Sequence, residues 1–204
     1  GIDALYGPTE TLVIADESAD PEICTADILH AAEHDALAIP ILVTNSKDLA
    51  KSVTKLIQDK LKIFERSDVI ELSLKNGGIV ITETIDEAVD LSNIFAPEHL
   101  CISTNNAESL IPKIKNAGGI FVGEGTPEVI GDYTGGISHV MPTGGGARFS
   151  SPLTIYDFQK IISIANIHEQ DLTKLGPYAS QIAKMEGLDA HANSIDVRLE
   201  KIHE

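Results

Sequence analysis

The 204-residue chain has no tryptophan, only two cysteines, 4% aromatic residues, and 15 basic side chains against 31 acidic ones. Each shortage excludes something. Cys24 and Cys101 are too few for a disulfide scaffold, and their spacing matches no metal knuckle, so a reduced, cytoplasmic setting is the expectation. A formal net charge of −16 repels phosphate backbones and anionic lipid, which argues against nucleic-acid and membrane partners. No apolar run approaches the ~20 residues that span a bilayer. The opening Gly1-Ile2-Asp3-Ala4-Leu5 lacks the basic and apolar stretches of a signal peptide, and the absent initiator Met points to a terminus that is processed, cut or joined to further sequence. No Gly-Lys-Ser/Thr occurs, so no phosphate-cradling loop is present. Gly123-x-Gly125 meets Glu128, and Gly144-x-Gly146 meets Phe149, where a dinucleotide fingerprint needs a third glycine.

What remains is globular. Hydrophobic residues make up 43% and charged residues 23% of the chain, enough for a real core in one domain with an appendage or two small ones. Short runs rich in Ile, Val and Leu predict strands at 11–15, 39–44, 78–82, 100–103 and 119–123, buried on both faces. Helical patterns lie between them at 21–34, 47–65, 84–94 and 107–116. Asp20, Ser46 and Asn105 or Asn106 are the starting caps, and Gly118-Gly119 is the last stop. This alternation predicts an α/β fold with an open, mainly parallel sheet and flanking helices, an incomplete Rossmann-like arrangement. From Glu124 to Ser151 the chain is glycine-rich and aperiodic, which marks a functional loop. Beyond it, helical patterns at 155–167, 170–186 and 190–202 predict a small all-helical tail. The domains are thus expected at 1–151 and 152–204.

The polar residues divide into small constellations. His30 and His34 stand four apart on one helix, close enough to share a metal, although such pairs are usually surface residues. Glu98 and His99 are adjacent in Pro97-Glu98-His99-Leu100, where a turn would aim both at the carboxyl-end edge or loop rim of the sheet. An acid beside an imidazole can divide a proton-transfer task, or can simply be exposed loop. Asp132 and His139 bracket Tyr133-Thr134-Gly135-Gly136-Ile137-Ser138, where glycine lets backbone approach a ligand, though a loop Asp more often forms a turn. His191 lies on the last helix, after Glu186 and Asp189.

The order of these motifs carries more than any one of them. Gly7-Pro8-Thr9-Glu10 leads into Leu12-Val13-Ile14-Ala15-Asp16. Ala32-Glu33-His34, Pro97-Glu98-His99-Leu100, Gly131-Asp132-Tyr133 and His139-Val140-Met141-Pro142-Thr143 follow. Ser150-Ser151-Pro152-Leu153, Tyr156-Asp157-Phe158, Ala190-His191 and Val197-Arg198 complete the series. It closely resembles the histidinol dehydrogenases, from the first residues to Arg198.

That resemblance implies a zinc- and NAD⁺-dependent enzyme that oxidises L-histidinol through L-histidinal to L-histidine, the end of histidine biosynthesis. By it, His99 is the base on the alcohol, and Glu98 activates the water that hydrates the aldehyde. Thr9 stands where the family usually has a substrate-contacting Ser, and His139 and Glu186 match substrate contacts. His34, Asp132 and His191 match zinc ligands and bound substrate, while the family's Gln ligand falls on Ala31, which can bind nothing. His30, about 40° round the helix from His34, could stand in; otherwise water fills the place and affinity drops. The tail would reach into a second subunit of a homodimer, so that Glu186 and His191 complete the partner's site. The family also continues upstream of the Gly-Pro-Ser-Glu motif with most of its NAD-binding domain. The resemblance therefore implies the C-terminal half of the enzyme, inactive alone. Two other readings stand beside it: a degenerate, non-catalytic binding or assembly module with the same fold, and a metal-assisted hydrolase using His34, Asp132 and His139.

Overall fold

A computed structural model describes residues 6–203; the Gly1–Leu5 segment read above lies outside the described residues. The chain divides into two compact units, 1–158 and 159–204.

In the first unit, strands and helices alternate as β1 (Glu10–Ala15), α1 (Pro21–His34), β2 (Ile39–Thr44), α2 (Lys47–Lys60), α3 (Ser67–Ser73), β3 (Gly78–Ile81), α4 (Ile85–Phe95), β4 (His99–Ser103), α5 (Ala107–Leu110), β5 (Gly119–Val122) and α6 (Val129–Tyr133). The strands form one parallel sheet in the order β3-β2-β1-β4-β5. Alternate side chains of one strand serve opposite faces. Val13, Leu42 and Cys101 pack with Cys24, Ile28 and Val53 on one side. Leu12, Ile14, Leu100 and Ile102 pack with Ala88, Val89 and Leu110 on the other. Burial on both faces is why β1, β2 and β4 read as unbroken apolar runs, whereas the edge strand β3, expected to be buried like them, is largely exposed.

Three helix starts carry side-chain caps, while the expected Asn106 makes no side-chain cap bond at the start of α5. Asp20 accepts from the Glu22 N–H, Ser46 from Leu49 and Thr84 from Glu87. Two helices are shorter than their patterns. The one beginning at Lys47 gives way at Leu61 to a single 3₁₀ turn, and the one beginning at Ala107 does so at Ile111, where Pro112 removes a backbone donor. α4 ends with Ala96 in the left-handed region (φ 58°, ψ 62°) just before Pro97.

The second unit holds α7 (Glu169–Met185) and α8 (Asp189–His203). Gly176 lets them approach closely: a Cβ there would sit 3.1 Å from Leu199. The helix expected at 155–167 is not formed. A 3₁₀ turn covers Ile155–Phe158, where Thr154 and Asp157 bond to each other, and no regular structure follows until Glu169. Ile161, Ile162, Ile164 and Ile167 have a helix-like spacing but are β-branched and exposed, so burial does not support a helix there. None of the described helices is long and apolar enough to cross a membrane.

Candidate active site

The sheet delivers its polar residues to one edge. β1 and β4 pair in parallel with Thr11 opposite His99, so the residues that begin the two strands lie side by side. α1 runs back against the sheet, which brings His30 and His34, in its last turns, to the same end. This is the amino end of the strands. The carboxyl-end placement considered above is corrected: Glu98 and His99 precede and open β4 instead of closing it.

At this edge a cavity of about 500 Å³ is lined by Thr9, Ala31, His34, Glu98, His99, Asp132 and His139. All the candidate residues of the first unit therefore meet in one place. Tyr6, His30, Glu128 and Tyr133 complete its polar wall. Of the tail residues, Glu186 caps the end of α7 and His191 lies on α8; both are exposed on the second unit.

Glu98 is buried, and its Oε2 accepts the backbone N–H of Glu10 at 3.2 Å. Glu10 in turn accepts the Gly144 N–H at 3.0 Å, and the Gly7 N–H donates to Thr143 at 2.7 Å. The Gly7-Pro8-Thr9-Glu10 motif thus ties the glycine-rich loop and the Glu98 carboxyl to the start of β1. The backbone of Glu98 is fixed from the other side: the Gly119 N–H donates to its carbonyl at 2.8 Å. A Cβ on Gly118 would fall 2.6 Å from that carbonyl and 3.0 Å from Met141. Gly118→Ala should therefore force the Pro97–Glu98 backbone aside and cost about 2 kcal/mol. Thermal unfolding reads this directly, and an unchanged midpoint would show that the turn yields freely.

Burial first, then the nearby carboxylates Glu128, Glu10 and Asp132, push Glu98 up to about 8, against the lowering pull of the Glu10 N–H. At neutral pH it is mainly a carboxylic acid. Burial holds His99 below the usual imidazole range despite the pull of Glu128 and Asp132, so it is a neutral base. Its ring lies 5.9 Å from that of Phe121, and neither of its nitrogens has an aligned hydrogen bond among the described residues. Two titrating groups pushed apart in this way suit a division of acid and base work. Both cysteines are buried and raised, Cys24 to about 12, which leaves them inert thiols.

Glu128 plays no part in the sequence reading except as the residue that spoils a glycine fingerprint. Its carboxylate is buried beneath the cavity, among Thr11, His30, His99 and Cys101. These partners are 27 to 117 residues away in the chain, so no local pattern could reveal them.

For a metal, His34 and Asp132 bring nitrogen and oxygen donors of the right kind to one cavity, and Ala31 brings only a methyl group. Among the described residues no three His, Cys, Asp or Glu side chains are grouped to hold an ion. A dinucleotide fares worse. At the carboxyl end of β1, where the strand order reverses and an open α/β sheet would take a phosphate, the turn carries Asp16, Glu17 and Asp20. Asp20 occupies the α1 N-terminus with its own carboxylate. These residues do not fit NAD⁺.

Comparison with known proteins agrees with the motif order. The histidinol dehydrogenase family profile matches residues 1–199. A histidinol dehydrogenase of Dehalococcoides mccartyi (strain CBDB1) is 48% identical over 98% of this chain and 46% of its own length. That of Deinococcus radiodurans is 46% identical over the same shares of each chain. The crystal structure of histidinol dehydrogenase from Elizabethkingia anophelis superposes with a TM-score of 0.97 at 33% identity, covering 99% of this chain and 47% of that one. The chain spans about half the length of the relatives it matches. A cavity walled by Glu98 and His99, motifs in the family's order, and a profile match over nearly every residue lead to one conclusion: the chain belongs to the histidinol dehydrogenase family.

Proposed function

We propose that this chain supplies the proton-transfer half of a histidinol dehydrogenase that oxidises L-histidinol to L-histidine in two steps. The observation that carries this is the buried pair at the cavity wall, a neutral His99 beside a Glu98 raised to about 8. Each oxidation removes a hydride from a carbon and a proton from the oxygen it bears. His99 takes the proton from the alcohol and later from the aldehyde hydrate. Glu98, a stronger base than an ordinary carboxylate once ionised, takes the proton of the water that adds to the aldehyde. Thr9 and His139, which line the same cavity, orient the substrate.

Zinc, held by His34 and Asp132 with His191, would fix the substrate's imidazole and amine in register. The donor chemistry suits it, and the methyl of Ala31 leaves the site one ligand short. In this reading Glu186 and His191 serve the cavity of a second subunit, the tail from residue 152 onward being the exchanged element of a homodimer. The seat of NAD⁺ belongs to the part of the relatives' length that this chain does not span, because the first βα turn here is closed to it by carboxylates. Ala31 is also what favours the second reading, a fold kept for binding or assembly without oxidation.

A simple assay tests the placement of NAD⁺ and the substrate. The purified chain with zinc, NAD⁺ and L-histidinol should form no NADH, yet L-histidinol should still bind and should protect the cavity histidines from acylation by diethyl pyrocarbonate. Histidinol-dependent NADH from the chain alone would overturn the assignment of NAD⁺ to other sequence. Absence of binding at millimolar histidinol would count against the substrate.

A further inference from the structure

Among the described residues, one carboxylate touches both imidazoles of the cavity floor. Oε1 of Glu128 lies 3.3 Å from Nδ1 of His99 and 3.3 Å from Nε2 of His30, and accepts the Thr11 hydroxyl at 3.2 Å. Its other oxygen takes the Cys101 thiol at 3.7 Å. The side chain is 3% exposed. Thr11, His99 and Cys101 come from the paired strands β1 and β4, and His30 comes from α1, so three elements converge on this group. No lysine or arginine pairs with it among the described residues. A buried carboxylate without a strong cation stays ionised only if its neighbours donate to it. Burial pushes Glu128 up, but His30, His99 and Thr11 outweigh it and hold the carboxyl below the usual range. The same contact raises His30 against its own burial.

The consequence falls on His99. An imidazole presents either nitrogen as donor, and the partner of one decides what the other can do. Nδ1 is the nitrogen with carboxylates beside it, Glu128 at 3.3 Å and Oε2 of Glu98 at 3.5 Å, although neither ring nitrogen makes an aligned hydrogen bond among the described residues. We propose that Glu128 is a positioning residue, which holds the His99 ring with its proton on Nδ1 and so leaves Nε2 bare to receive the substrate's proton. His30 is the counter-charge that keeps Glu128 able to do this. Glu128 itself acts only through His99.

The proposal rests on His99 being the base, but it can be read without substrate. Long-range nitrogen–proton correlation spectra of the histidine-labelled chain report the tautomer of each ring, and His99→Gln assigns the signal. The parent should show His99 with its proton on Nδ1, against the preference of free imidazole for Nε2. Glu128→Leu, which keeps the bulk and loses the acceptor, should move the proton to Nε2. Glu128→Gln, which keeps an acceptor oxygen at the same reach, should restore Nδ1. A parent chain with the proton on Nε2 overturns the idea and needs no variant to fold. So does a folded Glu128→Leu chain that keeps the parental tautomer. Failure to oxidise histidinol would leave these spectra unchanged, so the two claims fail separately.

Discussion

At pH 8 the Glu98→Gln chain should resist urea better than its parent, by on the order of 3 kcal/mol, and the advantage should vanish near pH 5. The sign follows from where the proton sits. Unfolded, Glu98 titrates near its ordinary 4.5; folded, it titrates at about 8. Between those values the folded state holds a proton that the unfolded state has released, so rising pH favours unfolding through that window. Asp27, raised to about 6 by burial and then by Glu128 and Glu124, steepens the same slope over its lower part. Glutamine stays neutral and keeps an acceptor for the Glu10 N–H, so it removes the Glu98 part of the slope. Equal stability of the two chains at pH 8 would mean that Glu98 is ionised in the fold at little cost. The same substitution in a whole enzyme carrying this chain should slow aldehyde oxidation by about 10²–10⁴-fold and alcohol oxidation much less, whereas His99→Gln should slow both. Indistinguishable effects of the two substitutions on separately assayed half-reactions would refute this division of roles. If Glu98→Gln both stabilises the fold and slows aldehyde oxidation, Glu98 is a residue that trades stability for activity.

Ala31→Gln should tighten zinc by at least about tenfold, or ~1.4 kcal/mol. Ala31 is 2% exposed, yet its methyl forms part of the cavity wall beside His34. The parent chain offers two donors in this wall and should give up its zinc readily to a chelator. If His191 comes from a second subunit, the gain should also grow with protein concentration as dimers form. Calorimetric titration of zinc into both chains at two protein concentrations decides the matter. Equal affinities would show that position 31 is not the vacant ligand place. His30 is a poor substitute for it, since Glu128 already holds its Nε2.

The parts of this fold visible in sequence are those with local causes. Strands buried on both faces announce themselves as apolar runs, and Asp20 and Ser46 mark helix starts because a cap acts within three residues. The seven-residue α3 escapes notice because it is short and its first residue follows an uncapped Arg66. The false helix at 155–167 shows the converse: apolar spacing without burial does not make a helix. In the cavity, Glu98 and His99 are legible because they are neighbours in the chain. Glu128 is not, since everything it touches comes from distant strands and α1. Nor does the sequence reveal that Glu10 serves the cavity twice, through its backbone N–H to Glu98 and through its carboxylate to Gly144.

Ala96 gives the cavity a place in the order of folding. Left-handed backbone costs an alanine about 1 kcal/mol that glycine would not pay. The residue is fully buried, so its methyl recovers part of that cost only after its surroundings have assembled. The turn it makes sets the exit of α4 toward Glu98, whose side chain waits for β1, 88 residues away, to supply the Glu10 N–H. The Ala96 N–H bond to Ser92 is the local hold on this bend, and by itself it does not offset the left-handed cost in an unfolded chain. The reactive corner should therefore form late, after β1 and β4 have paired, and mutations in it should speed unfolding far more than they slow folding.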